Sequence, residues 1–148
     1  DDDGTTRRVT CAALAPLLET LQGQLTEEEV GKLYAEILKR LDDSSDDVRV
    51  AACAALVPFF RAGPAAAYRG TVLDYTLDCL LVHLDDPEPR VQDAVQAAAR
   101  AAIPLNPARV AQRTRASRGQ HRSPDRCDAL AAEAEAQAAK EAAGAGAE

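Results

Sequence analysis

The fold of this chain is decided by the stretch LDDSSDDVRVAACAAL, residues 41–56, which recurs as LDDPEPRVQDAVQAAA at residues 84–99. The second copy begins 43 residues after the first. Another pair of segments, CAALAPLL from Cys11 and CAALVPFF from Cys53, recurs after 42 residues. Two alignments that give nearly the same period indicate an internal structural repeat.

Each repeat unit has the sequence pattern of two helices. Thr26 and Glu29 have the spacing of a capping box before the first complete helix, which carries apolar residues at intervals of three and four. Asp85 and Glu88 predict a second capping box at the start of a later helix. Between these, one further helix is expected over about residues 65–84.

The apolar stripes of these helices are too narrow for an isolated hairpin, so each hairpin must stack on its neighbours. A helix-pair period of 42–43 residues favours HEAT repeats, for which about 40–47 is typical. Asp43 and Arg49 resemble the HEAT turn, in which an aspartate and a basic residue form a ladder between repeats. Asp86 keeps the acid, but Gln92 replaces the base, so the ladder should be incomplete. The prediction is an all-α, armadillo-like right-handed HEAT solenoid, a fragment of a longer array.

The period also divides the chain into segments. We expect the second helix of a truncated repeat (1–24), two HEAT repeats (25–63 and 64–104), an Arg-rich degenerate repeat or linker (105–126), and an Ala-rich terminal helix (127–148) whose end is disordered from Gly144.

Composition excludes several classes of protein. The 148 residues include 32 alanines, and a strand-rich fold is disfavoured because alanine is a good helix former. The net charge of −7 makes nucleic acid an unlikely partner. The sequence shows no apolar run long enough to span a membrane and no signal peptide, so no membrane is expected. The four cysteines lack the spacing of a zinc or redox motif and are expected to be reduced and buried in a cytoplasmic protein.

Between Leu105 and Arg126 the chain carries six arginines and one acid. Three interpretations are open: a solvated tail, contact with an acidic protein surface such as tubulin or this chain's own acidic helices, or contact with nucleic acid. The last has no support from aromatic residues between the arginines. The arginines chosen as candidate protein contacts are Arg109, Arg113, Arg115 and Arg118.

No catalytic or metal-binding pattern stands out. His83 is placed at the end of a helix, where capping is the expected role, and no nucleophile lies beside a histidine in the sequence. The paired aspartates of the two turns lack the EF-hand spacing and are explained as turn residues. We therefore expect no enzyme activity, no cofactor and no metal; a HEAT-type hydroxylase is the enzyme alternative.

Two segments resemble a specific family. LYAEILKRLDDSSDDVRVAA from Leu33 and LLVHLDDPEPRVQDAV from Leu80 resemble the carboxy-terminal HEAT-repeat region of the dynein axonemal assembly factor 5 family, also called HEAT repeat-containing protein 2. The resemblance covers roughly residues 25–103 and, more loosely, the first 24, and the stretch after Pro104 departs from it. It implies a cytoplasmic, non-enzymatic scaffold for preassembly of axonemal dynein arms in cilium biogenesis. Its implied partners are axonemal dynein chains and other dynein assembly factors or chaperones.

In such a scaffold, the turns between helices would line one edge. The contact candidates chosen there are Asp42, Asp46, Asp47 and Glu88. The alternative functions are a HEAT-type module that binds microtubules or tubulin, and a regulatory subunit of an unrelated complex.

Overall fold

A computed structural model describes residues 3–146, and in this part of the chain all regular structure is helical, with no strand. The expected all-α class is therefore confirmed. The helices are α1 (Gly4–Thr20), α2 (Glu27–Leu41), α3 (Asp46–Phe59), α4 (Thr71–His83), α5 (Pro89–Ala102), α6 (Pro107–Ser117) and α7 (Asp125–Gly146). Short 3₁₀ turns lie at Ala65–Tyr68, Ile103–Leu105 and Arg118–Gln120.

The helices form two layers. Consecutive helices pair as the hairpins α2–α3, α4–α5 and α6–α7. Along one layer, α1 packs on α3, α3 on α5 and α5 on α7, while in the other layer α2 packs on α4 and α4 on α6. Every hairpin thus buries its apolar face against the next one, as the narrow stripes require. Assignment of this stack to the HEAT family stays a prediction.

The predicted start of the first complete helix is present. Thr26 is the N-cap of α2, and its Oγ1 accepts from the Glu29 N–H at 3.1 Å and donates to the Glu29 carboxylate at 3.0 Å. The second predicted capping box is wrong. Glu88 is itself the N-cap of α5, and Asp85 accepts backbone N–H groups of Arg122 and Ser123. The local pattern assigned the Asp85 carboxylate to the cap of α5, but in the structure this carboxylate binds backbone N–H groups of the next hairpin.

The predicted helix over about 65–84 is divided by a turn. Residues 65–68 form a 3₁₀ turn, and α4 begins only after Gly70, whose φ of +61° is unfavourable for other residues. Tyr68 causes this break: its ring packs edge-on against Phe59, with ring centroids 5.4 Å apart, and its hydroxyl accepts from the Gly63 N–H at 2.9 Å. The hydroxyl also donates to the Phe59 carbonyl oxygen, so the turn is fixed to the end of α3.

The Arg-rich and Ala-rich segments form a third hairpin. Asn106 caps α6 by accepting from the Arg109 N–H at 3.1 Å, and Val110 and Leu130 are fully buried at the contact between α6 and α7. The terminal disorder was expected from Gly144, but α7 is helical through Gly146. Residues 147–148 lie outside the described residues. No helix in the described range is long and apolar enough to cross a membrane.

Candidate protein-interaction surface

One edge of the stack includes the turns of the first two hairpins, residues 42–45 and 84–88. Each of these turns buries one aspartate, which accepts a hydrogen bond from an arginine one repeat earlier, on α1 or on α3. Arg7 Nε donates to Asp43 Oδ2 at 2.7 Å, and Arg49 Nη1 donates to Asp86 Oδ2 at 2.9 Å. Both carboxylates are only 7% exposed. These two ion pairs, which we call the rungs, tie α1 to the α2–α3 turn and α3 to the α4–α5 turn.

The same aspartates also shape their own turns. Asp43 accepts the Ser45 N–H and Asp86 accepts the Glu88 N–H, each at 2.9 Å. The hydrogen bond from the Arg7 guanidinium and, to a smaller extent, the one from the Ser45 N–H lower the pKa of Asp43 below its ordinary value. The expected incompleteness of the ladder is also observed: Gln92, which replaces the base, donates to the carbonyl oxygen of Asp86 within its own repeat.

The four acidic contact candidates lie along this edge, and the structure gives each of them an internal partner. Asp42 keeps 81% of its side chain accessible and contacts His83 Nε2 at 3.1 Å. Asp46 pairs with Arg49, Asp47 pairs with Arg90 at 2.6 Å, and Glu88 caps α5. His83 thus lies at the helix end, as expected. Binding of a partner by these acids stays a prediction.

The four candidate arginines are all engaged within the chain. Arg109 makes two bonds of 2.8 Å to Asp74, and Arg113 makes bonds of 3.0 and 2.7 Å to Asp78, both on α4. In the next hairpin, paired bonds join Arg115 to Glu135 and Arg118 to Asp128 on α7. Of the interpretations left open, the structure shows contact with this chain's own acidic helices.

These pairs explain several pKa shifts. Hydrogen bonding to Arg109 lowers the pKa of Asp74, and hydrogen bonding to Arg118 and Arg115 lowers the pKa of Asp128 and Glu135 respectively. The charge of the Arg-rich segment is thereby matched locally by carboxylates. A tubulin contact through this segment would have to displace them.

The described cysteines are all reduced, and three of them are buried, whereas Cys79 is only partly buried. Burial raises the pKa of the Cys53 thiol to about 12, so this thiol is unreactive at neutral pH. Within residues 3–146 no group of three or more metal-ligating side chains comes together.

Sequence reasoning missed one feature, a cleft of about 640 Å³ between α4 and α6. Leu81, Val82 and Ala116 form its apolar part, and His121 lies at one end. A signal was present in the sequence, because between Leu105 and Arg126 only Leu105 and Val110 are large and apolar. Because α6 carries so few large side chains, it cannot fill its contact with α4 as completely as α2 and α4 fill the contact between them.

Comparison with known proteins gives a consistent result. The chain is 37% identical over 134 residues to "Dynein axonemal assembly factor 5" of Xenopus laevis, 36% over 133 residues to that of Homo sapiens and 37% over 134 residues to that of Mus musculus. Each alignment covers 88% of this chain, which spans 16% of the length of each relative. Since the stretch after Pro104 is longer than the remaining 12%, part of that stretch is aligned, and the expected departure there is wrong for that part. No family model and no solved structure matches. Over most of its length, the chain is therefore homologous to a segment of dynein axonemal assembly factor 5, which confirms the resemblance of its two turn segments.

Proposed function

We propose that this chain is part of a non-enzymatic HEAT-repeat scaffold that assists cytoplasmic preassembly of axonemal dynein arms. The observation that carries the proposal is the identity of 36–37% to three proteins named for assembly of axonemal dynein. The two-layer stack supports it, because stacked helix pairs give an extended surface of the kind on which repeat proteins hold other chains.

The proposed mechanism is presentation of a stiff, acidic edge. The rungs hold the turns of successive hairpins at a fixed spacing, since their carboxylates are buried and hydrogen-bonded twice. On the same edge, Asp42 and Asp47 keep 81% and 53% of their side chains accessible. A basic segment of a dynein chain or of another assembly factor would meet carboxylates whose positions are already set, so binding would cost little ordering of the edge.

The test uses the full-length protein that contains this segment, expressed with an affinity tag in ciliating cells. Axonemal dynein chains that co-purify are identified and quantified by mass spectrometry. We expect wild type to retain dynein chains and the double variant Asp42→Lys with Asp47→Lys to retain at least about fivefold less, since rim charges set encounter and orientation.

The matched control is Glu36→Lys, which reverses an exposed charge on the outer face of α2, away from the turn edge. It should retain dynein chains as wild type does. Absence of dynein chains from the wild-type sample would refute the scaffold function. Equal retention by the double variant would refute only the role of the edge. Cell fractionation provides the test of location, and the proposal requires the dynein-bound pool to be in the cytoplasm.

A further inference from the structure

The third hairpin, α6–α7, is joined to the second hairpin, α4–α5, by arginine–carboxylate pairs that are partly open to solvent. Within residues 3–146, five arginines form such pairs across this contact: Arg109–Asp74, Arg113–Asp78, Arg122–Asp85, Arg126–Asp93 and Arg100–Glu133. In each pair, the more accessible side chain is between 33% and 76% exposed. Dissolved salt screens pairs of this kind, so the attachment of the hairpin depends on ionic strength.

The buried ion pair that joins the first hairpin to the second has no counterpart at this contact among the described residues. Arg49 of α3 reaches Asp86 in the α4–α5 turn, and these two side chains are 18% and 7% exposed. At the position equivalent to Arg49, α5 carries Gln92, which donates to the carbonyl oxygen of Asp86 in its own repeat. The third hairpin is therefore held without a rung.

Apolar packing at this contact is also sparse. Residues 105–146 contain three large apolar side chains, Leu105, Val110 and Leu130, and the last two are buried between α6 and α7. The cleft of about 640 Å³ lies beside Leu81 at one end of the contact between α4 and α6, and a second cleft of about 280 Å³ lies beside Leu73 at the other end. Side chains that line a cleft lack dispersion contacts on one side, so both clefts weaken the attachment of the hairpin.

The two helices of the third hairpin have a core of their own. Val110 and Leu130 are fully buried between them, and Cys127 Sγ donates to the Thr114 carbonyl oxygen at 3.1 Å. Further ion pairs join the two helices at the surface. The hairpin can therefore leave the second hairpin as one body, with its internal packing intact.

We propose that the third hairpin is a detachable element, which docks on the second hairpin through the five arginine–carboxylate pairs and undocks as one body when these pairs are broken. Undocking uncovers Leu73 and Leu81 of α4, which are 4% and 3% exposed in the docked state, beside the carboxylates of Asp74 and Asp78. The docked and undocked forms thus present different surfaces to other chains. The inference goes beyond the proposed function and does not rest on it.

The test uses hydroxyl-radical footprinting of the full-length protein that contains this segment, with mass spectrometry to measure the oxidation of single side chains. One variant reverses the four arginines that the third hairpin contributes to the contact, through Arg109→Glu, Arg113→Glu, Arg122→Glu and Arg126→Glu. In this fourfold variant, Leu73 and Leu81 should be oxidised at least about threefold faster than in wild type, because four attractive pairs become repulsive.

Leu130 reports on the core of the hairpin itself, and Leu56 in α3 reports on the rest of the fold, since both are fully buried. Oxidation of both should stay at the wild-type rate in the fourfold variant. The matched control, Arg115→Glu with Arg118→Glu, reverses two arginines of the same hairpin whose partners lie on α7. It should leave the two leucines of α4 protected.

A rescue variant adds Asp74→Lys and Asp78→Lys to the four reversed arginines and restores opposite charges at two of the pairs. Oxidation of the two α4 leucines should then fall back towards the wild-type rate. Unchanged protection of these leucines in the fourfold variant would overturn the proposal. Equal increases at these leucines and at Leu130 would overturn it as well, because the hairpin would then unfold instead of leaving as one body. A selective increase that the two lysines reverse supports it, whether or not dynein chains co-purify with wild type.

Discussion

Replacement of Asp86 by alanine should destabilise the fold far more than its position in a turn suggests. Its carboxylate is 7% exposed and accepts from Arg49 Nη1 and from the Glu88 N–H, both at 2.9 Å. A hydrogen bond to a charged group contributes about 1.5–3 kcal/mol, and the Asp86 carboxylate makes two of them, one to Arg49 and one to the Glu88 N–H. Arg49 keeps its second partner, Asp46, and is 18% exposed, so the lower part of the range applies. The expected loss is about 3 kcal/mol in the free energy of unfolding.

For a chain of this size, each kcal/mol lowers the melting temperature by about 2–4 °C, so Asp86→Ala should melt about 6–12 °C below wild type. The measurement is thermal unfolding followed by circular dichroism, supported by urea titration at constant temperature. The control is Asp47→Ala, which removes an ion pair whose two side chains are 53% and 54% exposed and should leave the melting temperature close to that of wild type.

A double-mutant cycle isolates the rung itself. Arg49→Met and Asp86→Ala should be strongly non-additive, because once Arg49 has gone, Asp86→Ala removes only the bond to the Glu88 N–H and no longer the ion pair. If the two single changes add, or if Asp86→Ala melts with wild type, then the buried rung does not hold α3 to the α4–α5 turn and the account of the ladder is wrong.

Three other contacts, at Asp43, Gly63 and Arg109, lead to predictions of their own. The folded-state pKa of Asp43 is lowered from its ordinary value of 3.8. Its rung therefore stabilises the fold above pH 3.8, and this stabilisation is lost as the pH falls through the lowered pKa. Asp43→Asn should flatten the acid side of a curve of unfolding free energy against pH. Gly63→Ala should lower stability by about 1–3 kcal/mol, since the added Cβ would lie 2.5 Å from Val30 Cγ2, and adding Val30→Ala should restore part of the loss in urea titrations. Raising salt from low ionic strength to about 1 M should increase hydrogen exchange in α6 more than in α2, because Arg109 and Asp74 hold α6 through partly exposed charges; equal changes in both helices would contradict this.

The repeat and the helix positions could be predicted because they depend on local patterns. The capping box at Thr26 and the stripe that follows it are set by residues three and four apart, and the structure keeps both. The failures involve partners distant in sequence. Spacing alone assigned Asp85 to a cap, but its carboxylate accepts a hydrogen bond from the backbone N–H of Arg122, which lies 37 residues away in the sequence. The break after Tyr68 likewise depends on a carbonyl group in the preceding helix.

The Arg-rich segment shows the same limit at the candidate site. Its charge was visible in the sequence, but the choice between a solvated tail and a docked helix depended on whether carboxylates would face it. Asp74 and Asp78 lie four residues apart on α4, and Arg109 and Arg113 have the same spacing on α6. Matched spacing of opposite charges in successive repeats is a signal that could have revealed this contact. The cleft beside it required knowledge of the register between the two helices.

The distribution of polar contacts has a physical reason in the composition of the core. Alanine fills five buried positions of α3 and α5, so these two helices approach closely, but small side chains fix the register of one helix against the other less sharply than large ones. Buried ion pairs add little net stability compared with apolar packing, yet they penalise any register in which a charge loses its partner. A shift of α3 along α5 would strand Asp86 in a position 7% exposed without Arg49. The rungs therefore select the register of the stack, and the apolar side chains supply most of the stability that holds it.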